Sequence, residues 1–281
     1  MSIDLAHLRG WIGRTETRSE VITAFPSNAL AATLDRDDPP YAPGDPLPSL
    51  WHWLHFLPLF ALTDAGYDGH QALGGFLPPV PLPRRMWAGS RLRFLAPARI
   101  SAELVKTATV LSVDHKAGRS GDLVFVSVRH VVSEGGQALI EDEHDIVYRA
   151  LPDRDAPAQV PPQAPGEDDF ARVITPGPVL LFRYSALTFN GHRIHYDRPF
   201  CAEEGYEGLV VHGPLLATLM LDVLRRNLPD AALRSFRFRA VAPVVDTGPF
   251  SVHGKRDGGT VRLWVRRGDG ALAMDGSAEL G

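Results

Sequence analysis

The sequence predicts an α+β fold in which an antiparallel sheet wraps around one helix, twice over. Short loops rich in Gly and Asp separate β-rich runs in both halves, which is typical of antiparallel hairpins. A helical apolar pattern precedes the strands of each half. A seven-residue pattern recurs where the strands begin. Because a helix then covers the concave apolar face of each sheet, these features predict a double hotdog fold.

The recurring pattern is Arg-apolar-Arg-x-apolar-Ala-Pro, at residues 91–97 and again at 237–243. Three strand-like runs follow each copy. Loops 116–121 and 134–136 join the runs of the first half, and loops 256–259 and 268–270 join those of the second. The expected strands lie at about 101–113, 122–133 and 137–149, and at about 248–255, 260–267 and 271–279.

Each half has one helical candidate ahead of its strands. In the second half a broad apolar stripe predicts a helix over 213–226, which Pro229 stops. The stripe consists of Leu215, Leu216, Leu219, Met220, Val223 and Leu224. In the first half, residues 50–57 are apolar on most sides, and we expect a deeply buried helix there.

A Pro-rich stretch near the middle of the chain predicts the domain division. Residues 152–166 have almost no large apolar side chains, so they favour an extended linker over a packed element. We therefore expect an N-terminal repeat at 1–151, a linker at 152–168 and a C-terminal repeat at 169–281.

Composition narrows the functional classes. The 281 residues are 44% apolar and 22% charged, with a net charge of −4, which indicates no general nucleic-acid-binding surface. Cys201 is the only cysteine, so an intramolecular disulfide and a zinc site built from cysteines are excluded. The amino-terminal sequence does not resemble a signal peptide, and no apolar run is long enough to span a membrane. We expect a cytoplasmic protein without a membrane partner.

The chemistry-bearing residues are concentrated at 184–197. Asn190, His192 and His195 place three hydrogen-bonding or proton-handling side chains within six residues. Gly213 opens the expected helix, where free backbone N–H groups can hold a developing negative oxygen. This combination favours a hydratase or dehydratase acting on an acyl thioester.

The run from Asn190 to His195, followed by His212-Gly213, resembles the MaoC-like (R)-specific hydratase/dehydratase family. That family has Asp-x-Asn-Pro-x-His and then His-Gly at the head of the hotdog helix. Here Asn190 stands at the aspartate position, while His192 and Arg193 replace Asn and Pro. The whole string 182–197 is similar to a narrower branch of this family. The branch contains the mesaconyl-CoA (3-methylfumaryl-CoA) and itaconyl-CoA hydratases, together with mitochondrial-type hydroxyacyl-thioester dehydratases. In this branch, Asn at the aspartate position is usual. Residues 11–13, 74–79 and 83–89 extend this resemblance into the first half.

The resemblance implies reversible hydration of an α,β-unsaturated acyl-CoA, most specifically itaconyl-CoA or mesaconyl-CoA. His195 is expected to be the base, Asn190 to orient the water, and the Gly213 N–H to hold the enolate oxygen. Because an amide takes no proton, the proton that reaches the α-carbon comes from the water, His192 or Asp197, and the sequence does not choose among them. His212 either points into the site or is a core histidine that hydrogen-bonds a loop.

Acyl-CoA carries phosphates, and a dicarboxylic acyl group adds a carboxylate, so arginines are candidate ligands. Trp87, in a Gly- and Pro-rich loop with Phe76, is expected to narrow the acyl pocket. No metal and no cofactor beyond the CoA of the substrate are expected, and a homodimer is compatible with the fold. The candidate substrate-binding residues are Arg84, Arg85, Arg183, His192, Arg193 and Trp87, with Arg198 as a further arginine.

Other functions stay open at this point. A 3-hydroxyacyl-thioester dehydratase of fatty-acid synthesis would use the same residues in the opposite direction. A hotdog thioesterase would need a carboxylate near the helix, where this motif has Asn and His. A binding module without turnover is the third alternative. The first half lacks an Asn/Asp-x-x-x-x-His element in the matching place, so we expect a catalytically degenerate repeat that supplies pocket walls.

Overall fold

One antiparallel sheet of ten strands runs through the computed structural model, which describes residues 3–118, 121–151 and 160–281. The strand order is β1-β3-β4-β5-β2-β7-β10-β9-β8-β6. The strands are β1 (Thr15–Val21), β2 (Arg84–Phe94), β3 (Glu103–Gly118), β4 (Gly121–Glu134), β5 (Gln137–Arg149), β6 (Phe170–Ile174), β7 (Leu233–Ala240), β8 (Phe250–Asp257), β9 (Thr260–Arg267) and β10 (Leu272–Leu280).

The five strands of the first half and the five of the second have the same order, read from the centre of the sheet outward. β2 pairs with β7 at the centre, and Arg91 lies opposite Arg237. These two arginines are the first residues of the recurring seven-residue pattern, so a pseudo-twofold axis passes between them. The backbone repeats as well: Leu95 and Ala96 both donate to the carbonyl of Leu139, and residues 241 and 242 both donate to that of Ala273. The predicted double hotdog is confirmed.

The predicted helix of the second half is confirmed as α5 (Gly213–Asn227), with Pro214 in its first turn. Pro is suited to this turn because its missing N–H has no partner there. All residues from Leu215 to Leu224 are buried, and the helix packs against β6, β8 and β9. Burial of this many leucine-sized side chains, at roughly 1.5–3 kcal/mol each, makes α5 the centre of this half.

The polar end of α5 joins the two halves. Asp222 is 4% exposed, and its carboxylate lies 2.5 Å from Arg36, 2.9 Å from Arg172 and 2.8 Å from Arg226. Arg36 belongs to the first half. Burial alone would lower the pKa of Arg36, but the hydrogen bonds to Asp38 and Asp222 outweigh it and raise that pKa. The buried aspartate is therefore fully paired.

The expected helix at residues 50–57 is wrong. The chain forms only a 3-10 turn, Trp51–Leu54. Leu50 and Phe56 on either side have left-handed φ angles of 71° and 56°, which a helix cannot include. The backbone N–H of Phe56 is also taken by the carboxylate of Glu20, at 2.5 Å. The segment is nevertheless buried as expected, since Trp51, His52, Leu54, His55 and Phe56 all lie in the interior.

Shorter helices complete the described part of the fold. They are α1 (Leu5–Arg9), α2 (Ala24–Thr33), α3 (Pro178–Leu187) and α4 (Arg198–Glu203), with 3-10 turns at Leu62–Asp64 and Arg193–His195. Of the expected linker at 152–168, residues 152–159 lie outside the described residues. Beyond them, Pro162 and Ala164 form backbone hydrogen bonds with Leu272 and Gly270. None of the helices described has the length and hydropathy to cross a bilayer.

Candidate active site

His195 lies at the end of the 3-10 turn Arg193–His195, which backbone bonds tie to the strand-like segment before α5. Val210 N–H donates to the carbonyl of Ile194, and the Nδ1–H of His195 donates to the carbonyl of Val210 at 2.7 Å. Because a carbonyl only accepts, Nδ1 carries the proton, and the Nε2 of neutral His195 carries a lone pair. The side chain is 6% exposed. The imidazole is thus held with the lone pair of Nε2 available to accept a proton.

His212 supports His195 from behind. The two rings stack with centroids 3.5 Å apart and planes 19° apart. His212 is fully buried, and its Nε2 lies 2.8 Å from the hydroxyl of Ser185. It is the core histidine that the sequence allowed. Burial lowers the pKa of His195 to about 3 and that of His212 well below its usual value, so both rings are neutral at pH 7.

The first helical N–H groups of α5 follow His212 directly. No acceptor among the described residues is bonded to the N–H of Gly213, and the helix places a positive dipole end there. The carbonyl oxygen of Trp87 lies 3.9 Å from the position that a Cβ would take on Gly213. The predicted base thus stacks on the residue that precedes the predicted oxyanion donor. Trp87 is a correction to the sequence analysis. It lies in strand β2 and not in a loop, and its backbone carbonyl approaches Gly213 while its ring packs on Trp53 and His144.

Asn190 sits at the entrance to the same turn. Its Oδ1 accepts from the backbone N–H of His192 at 2.9 Å, which forms a local turn of the kind that Asn and Asp favour. The side-chain NH₂ is the part of the amide left for a water or substrate. The side-chain oxygen of Asn190, which the sequence analysis also considered for orienting the water, is instead hydrogen-bonded within the loop.

Two residues of the first half, Asp68 and His70, complete the cluster, and sequence analysis missed them. The rings of His70 and His192 lie 4.2 Å apart, and those of His192 and His195 lie 5.5 Å apart. The Nδ1 of His70 lies 2.8 Å from the carboxylate of Asp68. A signal was present, because Tyr67-Asp-Gly-His70 has the same form as Phe189-Asn-Gly-His192.

Glycines allow the two loops to meet. A Cβ on Gly69 would lie 2.1 Å from the carbonyl oxygen of Gly191, and Gly69 has a left-handed φ of 86°. A Cβ on Gly191 would in turn lie 2.8 Å from the carbonyl of Gly69. The backbone N–H of Arg193 donates to the carbonyl of Asp68 at 2.9 Å. The backbones are therefore in direct contact, which only glycine permits here.

The electrostatics of this cluster keep the imidazoles neutral and Asp68 ionised. Burial, and then the neighbouring His70 and His195, lower the pKa of His192 to about 2. Burial also lowers the pKa of His70. Burial opposes ionisation of Asp68, but the hydrogen bond from His70 and the charge of Arg85 outweigh it and lower the pKa of Asp68.

The predicted substrate arginines fall into two groups. Arg84 is a correction to the sequence analysis, since its buried guanidinium lies 2.8 Å from Glu204 and is not available to a phosphate. Arg193 is likewise occupied, lying 2.7 Å from Asp197 and 4.4 Å over the ring of Phe200. Arg85 reaches the cluster, 3.9 Å from the Asp68 carboxylate. Arg183 is exposed on α3.

Asp68, His70 and His192 also offer potential metal-ligand atoms within 4.8 Å of one another. The Nδ1 of His70 is already hydrogen-bonded to Asp68, and its other nitrogen lies across the ring. A metal bound at the Nδ1 of His70 would have to replace that hydrogen bond. The observed geometry is that of a hydrogen-bonded acid–base cluster.

A base and an oxyanion donor close together are what the addition of water next to a thioester requires. Comparison with known proteins places the chain in that class of hydro-lyases. Its residues 50–246 match the family model of hydroxyacyl-thioester dehydratase type 2, and the chain belongs to this family.

Two curated relatives support the assignment. The chain is 44% identical over 273 residues to mesaconyl-C(4)-CoA hydratase of Chloroflexus aurantiacus, covering 96% of this chain and 97% of the relative. It is 27% identical over 244 residues to the mitochondrial hydroxyacyl-thioester dehydratase type 2 of Schizosaccharomyces pombe, covering 77% and 79%.

Solved structures agree on the fold. A MaoC-like dehydratase from Phytophthora capsici superposes with a TM-score of 0.72 at 13% identity, covering 99% of this chain and 98% of that one. A conserved protein of Mycobacterium tuberculosis described as a double hotdog superposes with a TM-score of 0.60 at 14% identity, covering 96% and 96%.

Proposed function

We propose that this hydro-lyase reversibly hydrates a short, methyl-branched, dicarboxylic α,β-unsaturated acyl-CoA, with mesaconyl-C(4)-CoA as the first candidate and itaconyl-CoA as the second. One observation carries the chemical part of the proposal. The neutral His195, fixed by the Val210 carbonyl, stacks on the residue that immediately precedes the Gly213 N–H. The 44% identity to a mesaconyl-C(4)-CoA hydratase supports the substrate class.

In the hydration direction, the Nε2 of His195 takes a proton from water while the water oxygen bonds to the β-carbon. The π electrons move onto the thioester oxygen, which the N–H of Gly213 stabilises at the positive end of α5. A donor of this kind is typically worth about 2.7–4 kcal/mol in the barrier. We propose that the NH₂ of Asn190 holds the water or the thioester, since its Oδ1 is bonded to the His192 N–H. Dehydration follows the same steps in reverse.

For the free carboxylate of the acyl chain we propose Arg85. Its side chain is 15% exposed, and it lies beside the cluster on β2, two residues from Trp87. The planar guanidinium suits a carboxylate. Arg183, exposed on α3, is a candidate for the CoA phosphates instead. We propose that Trp87 limits the acyl group to a short one, because its backbone carbonyl approaches Gly213 and its ring is fixed by packing 4.8 Å from Trp53 and 4.0 Å from His144.

We also propose that residues 1–151 form a repeat without a catalytic site of its own, separated by 152–168 from the catalytic repeat at 169–281. The described residues of the first half contain no counterpart of α5 and therefore no equivalent helix N-terminus. Its contributions to the pocket include the segment around Trp87 and the cluster of Asp68, His70 and Arg85.

A cytoplasmic location and a homodimer complete the proposal. CoA thioesters as substrates support an intracellular enzyme with reduced Cys201. Helices α2 and α3 pack together and leave Phe25 and Phe182 76% and 69% exposed, which supports pairing of two copies through this face. Light scattering on wild type and Phe182→Ser tests the assembly, and a wild-type monomer at micromolar concentration would refute it.

The proposal is tested by measuring hydration of mesaconyl-C(4)-CoA, itaconyl-CoA and crotonyl-CoA by the wild type, Asn190→Ala and His195→Ala. We expect the dicarboxylic substrates to be preferred and both variants to lose turnover. Arg85→Ala should harm the dicarboxylic substrates far more than crotonyl-CoA, whereas Arg129→Ala, on the exposed side of β4, should leave the ratio unchanged. Equal losses on all three substrates would refute the role of Arg85.

A second function has specific support, because the family model and the relative from Schizosaccharomyces pombe are both dehydratases. In that case 3-hydroxyacyl thioesters with straight chains would be the better substrates. Faster turnover of a straight-chain 3-hydroxyacyl thioester than of any dicarboxylic one would decide for the dehydratase.

A further inference from the structure

The two loops at the site repeat the same turn. In the first half, the backbone N–H of His70 donates to the Oδ1 of Asp68 at 3.0 Å. In the second half, the backbone N–H of His192 donates to the Oδ1 of Asn190 at 2.9 Å. Both turns have the form Asx-Gly-His, and their glycines touch. The halves thus present two equivalent histidines to each other, and the chief chemical difference between the turns is a carboxylate in one and an amide in the other.

The proposed reaction needs a proton to reach the α-carbon, and Asn190 cannot carry it. The sequence left Asp197 as one alternative, but the structure uses this residue elsewhere. Its Oδ2 is bonded to Arg193 at 2.7 Å, and its Oδ1 caps α4 by accepting from Phe200 N–H at 3.1 Å. The carboxylate of Asp68, by contrast, lies within 4.8 Å of a ring nitrogen of His192. That separation accommodates one bridging water.

We propose that Asp68 and His70 of the first half form the second acid–base pair of the reaction and take the role that a carboxylate at position 190 would have. This inference rests on the proposed function. His70 is the proton donor to the substrate, and Asp68 acts through it by balancing its charge. The first half therefore completes the site of the second, in addition to lining it.

The proton balance is closed by a relay of three imidazoles. The proton that His195 takes from water passes to His192 and then to His70, whose transient positive charge is paired with Asp68. His70 then gives this proton to the α-carbon as the enolate electrons return to re-form the thioester carbonyl. All three imidazoles end neutral, as they began, and one water has been added across the double bond. No oxidant or further reactant is needed.

The surroundings fit this assignment. The groups facing His70 are Asp68 on its own loop, Arg85 on β2, and His192 and His195 from the second half. Asp68 is the anion among them, so it is the group that can stabilise a passing imidazolium. Burial of His70 keeps the resting imidazole neutral, which the relay requires.

The test is Asp68→Asn, because an Asn at this place keeps the oxygen that accepts from the His70 N–H, while it removes the charge and the acceptor for the Nδ1 of His70. The molecule itself shows that Asn-Gly-His forms this turn, at 190–192. We expect kcat for mesaconyl-C(4)-CoA to fall about 10²-fold, the lower range for loss of an acid–base group, while KM changes less than about threefold. The thermal midpoint should fall only modestly, because the lowered pKa of Asp68 means that its charge stabilises the fold at neutral pH. His70→Gln should give a similar loss. Asp64→Asn, an exposed carboxylate in the same loop, is the matched control and should retain wild-type kcat.

A rescue experiment separates chemistry from structure. Asn190→Asp in the Asp68→Asn background moves the carboxylate to the second loop, and we expect at least about a tenfold recovery of kcat. Asp68→Asn that keeps kcat within about threefold of wild type overturns the inference. So does a loss of kcat that Asn190→Asp does not recover, since that marks a structural role. Activity that disappears with EDTA and returns with Zn²⁺ would also overturn it. Failure of the proposed function is distinct, because then wild type hydrates none of the thioesters.

Discussion

Substitution of Gly69 by alanine tests whether contact between the two loops sets the active-site geometry. A Cβ at this position would lie 2.1 Å from the carbonyl oxygen of Gly191, where ordinary contact begins at 3.4 Å. The opposing atom belongs to the backbone, so no side-chain rotation relieves the overlap. The loops must separate by about 1.3 Å, and His70 and His192 move apart with them.

A displacement of about 1 Å in a catalytic group typically costs about 10²-fold in rate, so we expect Gly69→Ala to lower kcat by roughly that factor. The left-handed φ of 86° adds about 1–2 kcal/mol of strain to the folded state. Gly74 is a matched control in the same loop, with a φ of 98° and its nearest neighbour, a Pro79 carbon, 3.8 Å from the position of a Cβ.

The assay compares both alanine variants by initial hydration rates and by urea unfolding. Both should lose similar stability, because both have a left-handed backbone. Only Gly69→Ala should lose the large factor in kcat. If Gly74→Ala loses as much activity as Gly69→Ala, strain alone accounts for the effect. If Gly69→Ala retains wild-type kcat, the contact with Gly191 does not position the histidines.

The remaining predictions concern the base, pH and the buried ion pairs. His195→Gln should lower kcat by about 10²–10⁴-fold, while calorimetry should still detect binding of a saturated acyl-CoA. Unchanged turnover would show that His195 is not the base. The pKa of His195 is about 3 in the folded chain and near 6.5 when unfolded, so the unfolded state binds more protons between these values. The contribution of this residue to the stability of the fold is complete above about pH 6.5 and is lost as pH falls toward about 3. The thermal midpoint of wild type should therefore fall more steeply below about pH 6.5 than that of His195→Gln. Parallel curves of thermal midpoint against pH would contradict this. Asp222→Ala leaves Arg36 buried without one partner and should cost about 3–5 kcal/mol in urea unfolding, whereas Asp230→Ala, on the surface, should be neutral. Equal losses in the two variants would show that the network contributes nothing.

Local patterns predicted the elements that depend on local interactions. The helix at 213–227 and six of the strands follow from periodicity and from glycine-containing loops, and both are visible within a short window of sequence. The prediction of a helix at 50–57 was wrong because a residue that is distant in the sequence competes for one of the backbone N–H groups that the helix would need. Glu20, more than thirty residues away in the chain, takes the N–H of Phe56. Periodicity does not report such a contact.

Only the part of the candidate site that the second half contributes could be predicted from the sequence. Asn190, His195 and Gly213 lie in a motif that a family resemblance reveals. In the structure, His195 stacks on His212, the residue that precedes Gly213. Asp68 and His70 are over a hundred residues away from their partner His192, so their proximity depends on how β2 and β7 join the two sheets. The similarity of Tyr67–His70 to Phe189–His192 was the available signal. It becomes meaningful only when the pseudo-twofold axis is known.

The pairing of β2 with β7 also has an evolutionary consequence. In an assembly of two identical subunits, every substitution appears at both symmetric positions, so a loop change that improves one site alters the other equally. Here the equivalent positions belong to one polypeptide and mutate independently. Residue 68 is a carboxylate while residue 190 is an amide, and among the described residues a long central helix occurs only in the second half. A chain that carries both repeats can therefore differ between the two sides of its proposed pocket, which a symmetric assembly of identical subunits cannot.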